Sequence, residues 1–162
     1  MTGVQTCALP ISNLGQDFSA IAIYSGSWNI FNNTLYNIKA SSGMIWLSGS
    51  IASPRATIAN NIFVSNGSSP YATWFDGAVA SQASLANNLY FGKGNGPAED
   101  GAAINANPLF MSPSGLDFRL QSASPAINKG AASVGSVVTT DRDGVQRPQQ
   151  GAFDIGAFEY VN

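Results

Sequence analysis

Asp76 lies two residues after Trp74, with Lys39 and Arg55 in turns upstream and a second tryptophan, Trp46, one repeat earlier. These five residues are the group in the sequence with the makings of a sugar site. Indole faces stack on sugar rings, a carboxylate accepts sugar hydroxyls, and a Lys or Arg pairs with a uronate. The competing reading is that both tryptophans are covered by a loop or by the carboxy-terminal segment. Catalysis by Asp76 is not expected, because glycoside hydrolysis needs two carboxylates at a defined separation. No second acid stands at an equivalent repeat position.

Other chemistries are narrowed by what the chain lacks. There is no histidine, which removes Ser-His-Asp and Cys-His mechanisms and the commonest zinc ligand. Asp141-Arg142-Asp143-Gly144 opens like a calcium loop, but the twelfth position is Ala152, which cannot supply the bidentate oxygen such a loop requires. A charged turn is the expectation there. Gly92-Lys93-Gly94-Asn95-Gly96-Pro97 is glycine-rich without the G-x-x-x-x-G-K-[ST] spacing of a phosphate loop, and reads as a linker. No catalytic residue, metal or cofactor is expected.

The elements that would position any site are announced by a repeat. Ile30-Phe31-Asn32-Asn33-Thr34-Leu35 returns as Ile58-Ala59-Asn60-Asn61-Ile62-Phe63 and as Leu85-Ala86-Asn87-Asn88-Leu89-Tyr90. Repeats of this period signal stacked units, none of which buries its apolar side alone. The local alternation has period 2 and predicts strands. Asn33, Asn61 and Asn88 are expected to form a structural ladder, their side-chain amides bonding from one unit to the next. A second strand precedes each pair, as in Trp46-Leu47-Ser48-Gly49 and Trp74-Phe75-Asp76-Gly77. Alternation predicts Ala22, Tyr24, Ile45, Leu47, Thr73 and Phe75 inside, and Ile23, Ser25, Trp46, Ser48, Trp74 and Asp76 outside. Trp46 and Trp74 would then stack in adjacent units. Asn66-Gly67-Ser68-Ser69-Pro70 has the composition of a protruding turn.

Composition supports a folded β protein. Of 162 residues 44% are hydrophobic and 10% charged, with 17 glycines and a net charge of −2. That is enough chain for a core and too little basic charge for a nucleic-acid partner. No run reaches the ~18 apolar residues of a membrane span, and a monomer is expected.

Residues 1–12, MTGVQTCALPIS, break this composition. They resemble the conceptual translation of a short-read sequencing adapter and are expected to be artefactual and disordered. The natural chain is expected to continue upstream of Asn13. Cys7, the only cysteine, falls inside this segment, so no disulfide or thiol chemistry is expected.

After Pro97 the repeat gives way to a different text. Asn107-Pro108-Leu109-Phe110, Asp117-Phe118-Arg119-Leu120, Ser124-Pro125-Ala126-Ile127-Asn128 and Asp154-Ile155-Gly156-Ala157-Phe158-Glu159-Tyr160 follow in order, with Asp141-Arg142-Asp143-Gly144 and Arg147-Pro148 between them. Over about residues 104–160 this series resembles the carboxy-terminal region of bacterial right-handed parallel β-helix proteins of the pectin-lyase-like superfold, the choice-of-anchor Q domain group. The resemblance implies a secreted or cell-surface protein that acts on or sits near polysaccharides. Asp117 and Arg119, two apart on one strand face, are placed to pair. Phe110, Leu116, Phe118, Leu120 and Ile127 are expected to cover the open end of the stack, which would otherwise expose strand edges.

The expected architecture is thus all-β, a right-handed parallel β-helix of about three regular coils over 13–95 and a carboxy-terminal cap over 96–162. Two functions are expected: a non-catalytic scaffold with polysaccharide contact through Trp46, Trp74, Asp76, Lys39 and Arg55, or the end of a polysaccharide lyase or glycoside hydrolase whose catalytic coils lie upstream.

Overall fold

The computed structural model describes residues 2–5, 19–38, 43–65, 72–75 and 82–162. The fold is all-β, and both of its larger sheets are parallel. The first sheet contains β1 (Thr2–Gln5), β2 (Ile21–Phe31), β4 (Ile45–Ala59), β6 (Ala72–Phe75) and β7 (Ala83–Ala86). The second runs β3 (Thr34–Ile38), β5 (Ile62–Ser65), β8 (Leu89–Phe91), β9 (Ile104–Asn105). Each Asn-Asn pair is the corner where the chain leaves one sheet for the other. The first Asn of each pair has a left-handed backbone, with φ of 53° at Asn32, 59° at Asn60 and 53° at Asn87. Asn tolerates this region better than other side chains bearing a Cβ, so the corner can recur without glycine.

Apolar side chains between the sheets form the core. Ile23, Ile30, Leu35, Leu47, Ile58, Phe63 and Tyr90 belong to one buried cluster, and Phe63 stacks on Tyr90 at 5.3 Å. Burying each such aliphatic side chain contributes about 1.5–3 kcal/mol. β1 pairs in parallel with Ser27–Ile30 of β2. Part of the amino-terminal segment expected to be disordered is therefore a strand. Main-chain ladder bonds accept almost any extended sequence at an open edge.

The facing expected for the first sheet holds for Ile45 and Leu47, both buried, and fails for β2. Ile23 is buried while Tyr24 is 49% exposed, and the register aligns Ala22 with Trp46 and Ile23 with Leu47. Trp46 and Trp74 do not occupy equivalent positions either. Trp46 faces Thr73 across the ladder, and Trp74 faces Leu47. The reason is unequal repeat length. Partners are 24 residues apart between Ile21 and Ile45 but 27 between Ile45 and Ala72, and a slip of one residue turns every side chain to the opposite face.

The carboxy-terminal segment lies along the flank of the stack. Phe110, Phe118 and Leu120, from the hairpin of β10 (Phe110–Ser112) and β11 (Asp117–Leu120), pack with Ile155, Ala157 and Phe158 onto Ile62, Val64 and Leu89. On the other side of the corner, Val134, Val138 and Phe153 cover Phe31 and Ala59. Leu116, expected in the end cover, is 54% exposed. The last core side chain is instead covered by the stretch read as a linker. A Cβ on Gly96 would lie 2.2 Å from the Tyr90 ring, the Gly96 N–H donates to Asn105 Oδ1, and Ala103 joins the core cluster.

Candidate functional site

The densest polar chemistry is built around the Asn corners. The second Asn of each pair points inward. The backbone N–H and Nδ2 of Asn33 both donate to Asn61 Oδ1, at 2.9 and 3.0 Å. Those of Asn61 both donate to Asn88 Oδ1, each at 2.9 Å. The series ends on a carboxylate: Asn88 N and Nδ2 donate to Asp100 Oδ2, at 3.1 and 2.8 Å. The same oxygen accepts the Tyr90 hydroxyl, and Asp100 Oδ1 accepts the Ala102 N–H. Spare amide protons reach carbonyls at the corner, from Asn61 to Ile30 and Ala59 and from Asn88 to Ile58. All three Asn are buried, so each pairing avoids the cost of an orphaned amide.

The first Asn of each pair does a different job, turning its side chain to the carboxy-terminal segment. Asn32 Nδ2 donates to the carbonyls of Asp154 and Gly156. Asn60 exchanges two bonds with Ala131, donating from Nδ2 and accepting the Ala131 N–H at Oδ1. Asn87 Nδ2 donates to the Lys129 carbonyl. Gly130 is needed beside this contact, since a Cβ there would meet Phe153 at 2.9 Å and Asn60 Nδ2 at 3.0 Å.

Within that segment lies a second polar centre. Arg147 is buried and donates to Glu159 Oε1 and to the carbonyls of Asp154 and Gly156. Glu159 Oε1 also accepts the Asp154 N–H and Oε2 the Gln149 N–H. The Asp154 carboxylate accepts from Asn128 N and Tyr160 N. Asp141 Oδ1 takes the N–H groups of Asp143 and Val145, closing the Asp-Arg-Asp-Gly turn, while Oδ2 takes that of Glu159. Burial pushes the carboxyls of Asp154 and Glu159 above their ordinary values, against the backbone donors and Arg147 that pull them down. Burial also lowers Arg147, opposed chiefly by Glu159.

This arrangement orders backbone and leaves little for chemistry. Both oxygens of Asp100, Asp141, Asp154 and Glu159 are engaged by donors of the chain itself. Among the described residues no group of three or more His, Cys, Asp or Glu is placed to hold a metal. The Asp117–Arg119 pair is present and exposed, with Arg119 holding Asp117 down to about 2.

Of the residues singled out for sugar contact, the side chains of Trp46 and Arg55 are described. Trp46 is half-buried and meets Tyr24 edge-on, ring centroids 5.0 Å apart. Arg55 is exposed on β4 opposite Ser27. The β2 partners of Trp46 and Arg55 are Ala22 and Ser27, five residues or roughly 17 Å apart at strand rise, beyond the reach of one sugar ring. For Trp74 the register of its backbone is described, and Lys39 and Asp76 lie outside the described residues.

Sequence reasoning gave no role to Asp100, Arg147, Asp154 or Glu159. One signal pointed to the last three: in a chain with nine acids, four fall between 141 and 159, around Arg147. Among the described residues no helix is long and apolar enough to cross a membrane. No protein-family model matches the chain, and no curated protein matches it.

Proposed function

We propose that the chain is a non-catalytic structural part of a right-handed parallel β-helix protein that works outside the cell or at its surface. One observation carries the reading: the buried and half-buried acids of both polar centres use every carboxylate oxygen on donors within the chain. A general acid or base must keep an oxygen within reach of substrate, and a polysaccharide lyase or hydrolase would need at least one such group. The two parallel sheets joined at a recurring Asn corner, with alternate crossings between them, support the solenoid reading. A surface location rests on the resemblance of residues 104–160 alone.

The test is turnover. Folded protein, verified by circular dichroism, is incubated with pectin, polygalacturonate and alginate, and product is followed by reducing ends and by absorbance of unsaturated uronate. No release above the buffer rate is expected. Release that is abolished by replacing any one of the chain's acids with its amide would overturn the reading.

A further inference from the structure

Where the strand ends of the second sheet meet the Asn107–Phe110 loop there is a groove of about 550 Å³. Among the described residues no charged side chain lines it. Its floor is aromatic: Tyr36 lies edge-on to Phe110 at 6.2 Å. On its rim Phe91 keeps 38% of its surface exposed.

The polar groups of the rim are amides. Asn37 is an extra residue in β3: the register steps from Tyr36↔Val64 to Ile38↔Ser65 and leaves Asn37 unpaired in the ladder, at φ 55°. Bulges of this kind re-aim a side chain, often beside a binding site. Two repeats on, the matching position after Phe91 is Gly92, also left-handed at φ 98°, so the amide side chain rather than the backbone turn is particular to Asn37. From the opposite wall, Asn107 Oδ1 accepts the Leu109 N–H, which leaves its amide N–H groups to donate outward. Gln121 donates Nε2 to the Phe110 carbonyl, which leaves its side-chain oxygen to accept. Leu109, between them, is held at φ 53°. A bulky side chain in that region is strained, and such strain gathers at ligand clamps.

From these features we infer that the groove is a binding site for a neutral saccharide chain. A ring can stack on Phe91, and its hydroxyls, which both donate and accept, match a rim of amides that offers donors at Asn37 and Asn107 and an acceptor at Gln121. Among the described residues the groove's lining offers no cation to offset the desolvation of a uronate or phosphate. A purely apolar ligand would leave the amides unpaired. This inference deepens the scaffold reading by naming what the scaffold holds. The two fail separately, since a scaffold with an empty groove is still without turnover.

The experiment is a calorimetric titration of the full chain with cellohexaose, xylohexaose, mannohexaose and maltohexaose, with hexagalacturonate as the charged control. Amide chemical shifts map the site of any binding. At least one neutral hexasaccharide should bind, with shifts centred on Asn37, Phe91 and Leu109 and an affinity insensitive to salt. Phe91→Ala should weaken it by about tenfold or more, the scale of one lost anchor contact. Asn37→Gly, which keeps the left-handed backbone and removes only the amide, should weaken it with no change in melting temperature. No binding by any neutral probe, binding of hexagalacturonate alone, or shifts located elsewhere would each overturn the inference. Should Phe91→Ala unfold the chain, Asn37→Gly and the shift map still decide.

Discussion

Asn61 is the residue on which both directions of the inner ladder converge. Its oxygen accepts two bonds from Asn33, and its nitrogen donates to Asn88, Ile30 and Ala59. Asn61→Ala orphans several buried groups, each costing ~1–3 kcal/mol. The expected loss in urea denaturation is at least ~3 kcal/mol, a large share of a typical domain's stability. A loss under about 1 kcal/mol would show that the neighbours re-pair and that the ladder contributes little. The inner Asn series was legible because a period survives in sequence. Asp100, which ends it, was not, since a lone acid after a glycine-rich stretch looks like any solvated turn. The outer series was hidden too, because its partners stand 42 to 124 residues away. In the candidate sugar site, residue type was readable and register was not: Trp46 and Trp74 fall one position out of step once repeats of unequal length are aligned.

At the scale of elements, the docked carboxy-terminal segment has a pH signature. Asp154 and Glu159 have folded-state values raised by burial. A raised carboxyl binds its proton more tightly folded than unfolded, so between the unfolded and folded values stability falls as pH rises. Lowering the pH from neutrality through those raised values should therefore leave stability level or increased as far as these two groups govern it. Asp117 has the opposite sign: lowered to about 2 by Arg119, its contribution is present above pH ~4 and fades between there and 2. Because that pair is exposed, its share is small. Urea titrations from pH 7 to pH 3 check both signs, and an early loss of stability above pH 5 would contradict the burial argument. Gly130→Ala tests docking directly. The added methyl meets Phe153 and Asn60, a collision of the kind that costs ~1–3 kcal/mol. Limited proteolysis should then cut residues 107–162 before the parallel sheets, whereas unaltered protection would place the docking energy elsewhere.

For the molecule as a whole, the Asp141 turn predicts indifference to calcium. Its carboxylate is filled by three backbone N–H groups, so EDTA should leave the melting temperature unchanged. A rise with added calcium would require a site outside the described residues. The all-β class was readable from alternation and the Asn repeat. The lateral course of the carboxy-terminal segment was not, because the same apolar residues could have covered an end or a side. What decided between them was the surface left open by β5 and β8. Ile62, Val64 and Leu89 face away from the core they frame and need a partner of their own.

That lateral course turns the segment into a gauge. It touches the three corners in descending order, Gly156 and Asp154 at Asn32, Ala131 at Asn60 and Lys129 at Asn87. The inner ladder, meanwhile, is directional and finishes on an oxygen acceptor that has no proton to pass on. A duplicated repeat could enter between Asn33 and Asn88 without disturbing the terminator, yet it would leave the segment one corner short. A deleted repeat would leave it one corner long. The spacing of these three corners is thus counted along the flank and not along the ladder, and a lineage that inserted or deleted a repeat among them would have to rewrite the segment's contacts while the ladder's end stayed as it is.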